Sequence, residues 1–307
     1  MGVLLTAAAI GVAVAVGVWS ERRWPQGAGI AARRALVLML YVLVPPVIFF
    51  NLAASDLDIE RGVGLVLGLL TVSLAALLAW LVASRALGLS RPQTGAVVCA
   101  VLCINSAYLG YPLTIALLGR DDLPTAVLYD VSVAGPALLL GAFAVGAAFG
   151  TRAGEGPGER VRAFFTRNPP LYAAIAGLLA PEALAPDLMV DVSQGLVIAL
   201  LPVGFFAVGT TLAEGAERGQ LPLPPPLTRP VALGVFSRLV VAPGLLILLA
   251  APLVDLPAAY LLLAAMPTGI NSMVVAHAYG LDMEITAEAV TWSTAIVVAA
   301  ALVSLLL

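Results

Sequence analysis

The sequence predicts an all-α integral membrane protein of ten transmembrane helices. They form two five-helix halves inserted in opposite senses, with the fourth and ninth helices broken. Three observations carry this reading. The 307 residues are 61% hydrophobic and 11% charged, with a mean hydropathy of +1.05, more apolar side chain than a soluble chain of this length can bury. The apolar residues fall into runs of membrane-crossing length. Two of those runs are interrupted in the same way, by Asn105-Ser106-Ala107-Tyr108-Leu109-Gly110-Tyr111-Pro112 and by Met266-Pro267-Thr268-Gly269-Ile270-Asn271-Ser272. Each interruption combines Pro, Gly and an Asn-Ser pair, which is poor chemistry for a lipid-facing helix.

The apolar runs lie at about 2–20, 31–53, 62–84, 94–118, 124–150, 169–185, 188–213, 228–250, 257–280 and 285–307. Roughly 20 residues are needed to cross about 30 Å of hydrocarbon, so each run reads as one span. Pro181 and Pro186 crowd the end of the sixth.

The charged loops set the orientation. Twelve of the 15 Arg fall in the loops after spans 1, 3, 5 and 7: Arg22, Arg23, Arg33, Arg34, Arg85, Arg91, Arg152, Arg160, Arg162, Arg167, Arg218 and Arg229. There is no Lys. The opposite side holds Arg61 and Arg120 among Asp56, Asp58, Glu60, Asp121, Asp122, Glu182, Asp187, Asp191 and Asp255. By the positive-inside rule the Arg-bearing loops are cytoplasmic and both termini face outward. Loop 9–10, with Asp282, Glu284 and Glu288, is then cytoplasmic although acidic; acidic residues weigh little in the rule.

Residues 1–150 form the first five-span repeat and 169–307 the second. Between them, 151–168 is Gly-, Arg- and Glu-rich and reads as a flexible cytoplasmic linker. The Pro-rich stretch 221–226 reads as a stiff connection. A half with an odd number of spans, when duplicated, inserts upside down. The offsets agree: about 167 residues from span 1 to span 6, about 163 from span 4 to span 9, and 166 from Asn105 to Asn271.

Several function classes are excluded. No Walker loop, HExxH or nucleophile elbow is present, so no catalytic residue and no enzyme activity is expected. Cys99 and Cys103 lie four apart beside a single histidine in the whole chain, and read as packing residues, not a metal pair. No basic stripe with interleaved aromatics calls for nucleic acid; the expected surroundings are lipid. The N-terminal Met-Gly-x-x-x-Thr fits an acylation pattern, but an outward-facing end argues against it, and no basic residue precedes the first apolar run as a cleaved leader would require.

Gly/Pro-interrupted spans at corresponding positions of two halves point to the substrate site of a secondary transporter. Irregular backbone at membrane depth survives only where it is buried in protein or lines a cavity. Pro112 and Pro267 suit the first position of a second half-helix. The N-termini of such half-helices present free N–H groups and a positive dipole end to an anion. The substrate-binding candidates are therefore Asn105, Ser106, Tyr108, Gly110, Pro112, Pro267, Thr268, Asn271 and Ser272, with Asn51 beyond Pro45-Pro46 in span 2. The alternative for the same residues is kinks and interhelical glue.

Asp130, inside span 5, costs about 3 kcal/mol on insertion scales and needs a partner or a role. It reads either as a proton or sodium site or as a hydrated group near the end of its span. His277, in span 9, titrates near neutral pH in free form, or is a packed side chain. Arg238, in span 8, pairs with a substrate carboxylate or with Asp130, or else snorkels to the cytoplasmic surface. No cofactor and no metal is expected; any coupling ion is H+ or Na+.

The stretch Asn105–Leu113 resembles the Asn-x-x-x-Leu-Gly-x-Pro signature of the auxin efflux carrier family. Further segments resemble that family in the same order: Asn168-Pro169 opening span 6; Leu201-Pro202-Val203-Gly204 with Val208-Gly209-Thr210-Thr211-Leu212 in span 7; and Ala265-Met266-Pro267 with Ala276-His277-Ala278-Tyr279-Gly280 in span 9. The resemblance implies an inverted repeat shared with bile-acid sodium symporters, and spans 4 and 9 crossing at the midplane. It also implies a scaffold and a transport domain, elevator-type alternating access, and a homodimer. The family's span-4 Asn and crossover prolines correspond to Asn105, Pro112 and Pro267.

Two departures stand out: the long cytoplasmic loop of plant members is missing, and span 3 carries no charge. Bacterial relatives are associated with small carboxylates. The expected protein is thus a bacterial inner-membrane carrier for a small organic anion. The alternative is a sodium- or proton-coupled antiporter or symporter of the same fold using Asp130 or His277, against which counts the lack of a carboxylate in either broken span. A membrane sensor would need a signalling domain, and none is expected within these residues.

Overall fold

The computed structural model describes residues 2–53, 62–152, 157–217 and 225–304. The acidic stretch 54–61, the middle of the linker and most of the Pro-rich connection lie outside it. Among the described residues all regular secondary structure is helical, save one isolated antiparallel bridge, Ile104 with Thr268.

The first half comprises α1 (Gly2–Arg23), α2 (Pro25–Leu38), α3 (Val44–Ala53), α4 (Gly62–Leu81), α5 (Arg91–Leu102), α6 (Tyr111–Leu117), α7 (Leu123–Tyr129) and α8 (Phe143–Phe149). Then come α9 (Pro157–Thr166), α10 (Pro169–Leu179), α11 (Asp187–Glu217), α12 (Arg229–Phe236), α13 (Ala242–Ala250), α14 (Ala258–Ala264), α15 (Asn271–Tyr279) and α16 (Met283–Ser304). Among the described residues, five continuous helices are long and apolar enough to cross a membrane: Gly27–Phe50, Gly62–Ala86, Thr125–Phe149, Arg229–Ala250 and Met283–Ser304. The protein is accordingly a multi-pass membrane protein.

The prolines leave a regular mark. Of six π turns among the described residues, four end two residues before a proline: Met39–Leu43 before Pro45, Ser106–Gly110 before Pro112, Asp130–Ala134 before Pro136, and Ser237–Val241 before Pro243. A proline has no N–H to give and crowds the carbonyl four residues back. That carbonyl lies inside each of these turns, and widening the turn by one residue relieves the crowding. Pro45-Pro46 therefore does not interrupt span 2, which runs on through a π turn.

Packing sorts the helices into two groups that cut across the sequence halves. α1 and α2 pack on α11, and α3 packs on α10 and α11. In the other group α5 is central, touching α4, α8, α12, α15 and α16, while α13 packs on α4 and α14 on α7. Every residue of α5 from Thr94 to Leu102 is buried, as expected of a helix apolar on all sides. The groups meet where α2 touches α15, α1 touches α6, and α11 touches the turn 106–110 and α16.

The α1–α11 contact is a backbone-to-backbone approach. A Cβ on Gly209 would lie 2.2 Å from the Val14 carbonyl oxygen, and one on Gly17 would lie 2.4 Å from that of Phe206. Small residues of this kind let membrane helices approach closely. Gly209→Leu should cost at least the 1–3 kcal/mol typical of overpacking (order of magnitude). This would be read as a lower melting temperature in detergent, whereas Gly11→Ala, with nothing within 4 Å, leaves it unchanged.

The segment read as a flexible linker is partly ordered. It contains α9, and Arg152 and Arg167 at its two ends donate to the His277 and Ala278 carbonyls at 2.7 and 2.8 Å. Cations there suit the negative end of α15.

Candidate functional site at the paired helix breaks

α5 stops at Leu102, and Cys103 is extended at φ −84°, ψ 98°. The helix resumes at Ser106 through the π turn and runs on into α6. On the other side α14 stops at Ala264 and α15 starts at Asn271. The two unwound stretches lie against each other. The Asn105 N–H donates to the Pro267 carbonyl at 2.9 Å, and the Gly269 N–H to the Cys103 carbonyl at 2.7 Å, flanking the Ile104–Thr268 bridge. Side chains satisfy more of the freed backbone, as buried polar groups require. The Thr268 hydroxyl donates to the Ala100 carbonyl at 2.8 Å, the Ser272 hydroxyl to the Gly269 carbonyl at 2.7 Å, and the Ser293 hydroxyl accepts from the Thr268 N–H at 3.1 Å.

Against this, Asn105 stands apart. It is 1% exposed, yet neither its amide oxygen nor its amide nitrogen has a hydrogen-bond partner among the described residues. It occupies the N-cap position of the resumed helix, where Asn is favoured for bonding the first backbone N–H groups, and it makes no such cap bond. A buried, uncommitted amide is costly, and this one sits at the start of a helical stretch inside the protein.

Next to it, Ser106 and Tyr111 both donate to Asp130, the hydroxyl of Ser106 to Oδ1 and that of Tyr111 to Oδ2, the latter at 2.5 Å. Asp130 is half-buried at the first position of its own π turn. It is thus tied to the span-4 break.

The predicted residues divide accordingly. Asn105, Ser106 and Asp130 come together, with Thr268 paired opposite. Thr268 and Ser272 spend their hydroxyls on holding the break. Asn271 is half-buried and opens α15. Gly110 is buried, facing Met266 and Leu263. The side chains of Asn51, Tyr108 and Pro112 lie outside the described set. Neither proline is the first helical residue after its break: Pro112 stands second in α6 but follows six helical residues counted from Ser106, and Pro267 sits in the unwound stretch, its carbonyl engaged by Asn105.

His277 lies in the last turn of α15, six residues beyond Asn271, about 9 Å along a helix. Arg238 neither reaches the surface nor pairs with Asp130. It is 1% exposed, and its guanidinium donates to the carbonyls of Met266 at 3.0 Å, Val101 at 3.2 Å and Ala264. Tyr111 and Ser293 are the residues that sequence reasoning missed. Tyr111 lay inside the interrupted motif, which was its only signal.

Comparison with known proteins agrees with a membrane carrier. Residues 163–305 match the family described as "Membrane transport protein". The chain is similar to an uncharacterized transporter of Methanothermobacter thermautotrophicus, 27% identical over 182 residues, covering 57% of each protein. It is also similar to an uncharacterized transporter of Methanocaldococcus jannaschii, 23% identical over 145 residues, covering 46% of each. The chain thus spans about half the length of these relatives.

Proposed function

We propose that the chain is a member of the auxin efflux carrier family, which it resembles and with which its match to a membrane transport protein family agrees, and that it is a secondary carrier for a small organic anion, a carboxylate, working by elevator-type alternating access in a bacterial inner membrane. In this reading ten spans form the inverted repeat, spans 4 and 9 cross at the paired breaks, and both termini face outward. The group of α1–α3, α10 and α11 is the scaffold, and the group around α5 and α15 moves against it, carrying the substrate. The observation that carries the reading is the buried Asn105 amide, which has no partner among the described residues. An amide that donates and accepts nothing within the fold has its hydrogen bonds to offer to a ligand. Asn271 at the head of α15 supports it from the opposite break.

Asp130 favours a proton as the coupling ion. A carboxyl group accepting from two hydroxyls beside Asn105 lies where its charge and the substrate's would be felt mutually. His277 is remote from the breaks.

The test is charge movement from proteoliposomes on a solid support, with a panel of mono- and dicarboxylates, with and without sodium and a pH step. At least one carboxylate should evoke a current. Asp130→Asn should keep substrate exchange and lose the current driven by the pH step. A current on a sodium or pH step alone, with no carboxylate response, would replace the anion carrier by the cation-coupled antiporter of the same fold.

A further inference from the structure

The largest fully buried side chain among the described residues is a cation, Arg238. Among the described residues no carboxylate makes an ion pair with it; its guanidinium donates to three backbone carbonyls. Those carbonyls are not arbitrary. Val101 is the penultimate residue of α5, Ala264 is the last residue of α14, and Met266 lies two residues beyond it. One guanidinium therefore closes the C-terminal ends of the first halves of both broken spans. The last carbonyls of a helix lack intrahelical partners and carry the negative end of its dipole. Two such ends converging at membrane depth form a site for positive charge. In secondary carriers, unwound carbonyls and half-helix C-termini are where a travelling Na+ or H+ is held.

We propose that Arg238 is a resident cation that fills this carbonyl site permanently, so that the carrier needs no sodium there and the anion meets a positive charge built into the moving body. Arginine stays protonated under all working conditions, and its planar donor fork reaches several oxygens at once. It cannot leave with the substrate. It lies in the π turn between α12 and α13, so it also ties the fourth, eighth and ninth spans into one unit. The charge stands beside the bridge that positions Asn105: Met266 precedes Pro267, whose carbonyl receives the Asn105 N–H. The sodium-independence part rests on the carrier reading above; the resident-cation part does not.

The experiment uses the full chain, wild type and the variants Arg238→Ala, Arg238→Met and Arg238→Lys. Melting temperature in detergent is measured in choline chloride, sodium chloride and millimolar guanidinium chloride, alongside the carboxylate-evoked current. Wild type should melt and transport equally in sodium and choline. Arg238→Ala should melt about 10 °C lower and lose the current, and guanidinium should raise its melting temperature and not that of wild type, since a ligand stabilises only the state that binds it. Arg238→Lys should retain part of both readouts and Arg238→Met neither.

Sodium dependence of wild-type melting or current would overturn the proposal. So would Arg238→Met behaving like wild type, or Arg238→Lys being as damaged as Arg238→Met. If Arg238→Ala fails to accumulate, the Lys–Met comparison decides alone. Should wild type give no carboxylate current, the carrier reading fails while the melting measurements still decide whether Arg238 is the resident cation.

Discussion

Asn105→Ala should abolish the carboxylate-evoked current, or lower apparent affinity by about 10–150-fold, the range expected for losing hydrogen bonds to a charged group. Its melting temperature should stay at the wild-type value. The two halves of this prediction have one cause. The Asn105 amide is buried and makes no hydrogen bond among the described residues, so the fold loses nothing when it goes. Removing an unpaired buried polar group is neutral or mildly stabilising. A merely structural Asn, acting as helix cap or interhelical glue, would behave the other way: truncation would lower stability by about 1 kcal/mol and leave affinity largely intact. Asn105→Asp keeps the shape and adds a negative charge. It should be as inactive as the Ala variant toward an anion; a cation carrier would tolerate it. Unchanged uptake by Asn105→Ala would remove this residue from the site.

The position of the two breaks was legible in the sequence and much of their construction was not. Pro, Gly and Asn-Ser in the middle of two apolar runs mark irregular backbone because each residue type disturbs its own neighbourhood. The finer expectation, that Pro112 and Pro267 begin the second half-helices, fails for a physical reason. A proline disturbs the turn before it, and before Pro112 that turn survives as a π turn, so the helix already restarts at Ser106. Around Pro267 the carbonyls find partners outside the helix, in Asn105 and Arg238, and the unwound stretch lasts to Asn271.

Arg238 shows the limit most clearly. Hydropathy along span 8 is the same whether an Arg snorkels or is buried. What decides is a set of carbonyls 26, 28 and 137 residues away, which no local pattern contains. Asp130 was ambiguous for the same reason; the hydroxyls of Ser106 and Tyr111 answer the question of its partner. The packing groups were invisible as well, because they draw α1–α3 from one half and α10–α11 from the other.

Gly269→Ala should damage folding and transport together, in contrast to Asn105→Ala. A Cβ at Gly269 would lie 2.9 Å from the Ile104 carbonyl oxygen, 3.1 Å from its carbon and 3.3 Å from the Asn105 nitrogen. All three are backbone atoms of the opposing break, so no side chain can swing aside. The added methyl must push the two stretches apart, stretching the Gly269–Cys103 and Asn105–Pro267 hydrogen bonds at the same time. Overpacking of this kind costs about 1–3 kcal/mol, a fall in melting temperature of about 3–10 °C for a chain of this size. Because Asn105 is a member of the pairing, its amide shifts with the backbone, and the carboxylate current should fall even in the fraction that stays folded. Gly244→Ala in α13, with nothing within 4 Å, is the matched control and should alter neither quantity. If Gly269→Ala melted and transported like wild type, the close pairing of the two breaks would not be what holds Asn105 in place. The amide would then owe its position to α6 and Asp130 alone, and Ser106→Ala would become the variant expected to displace it.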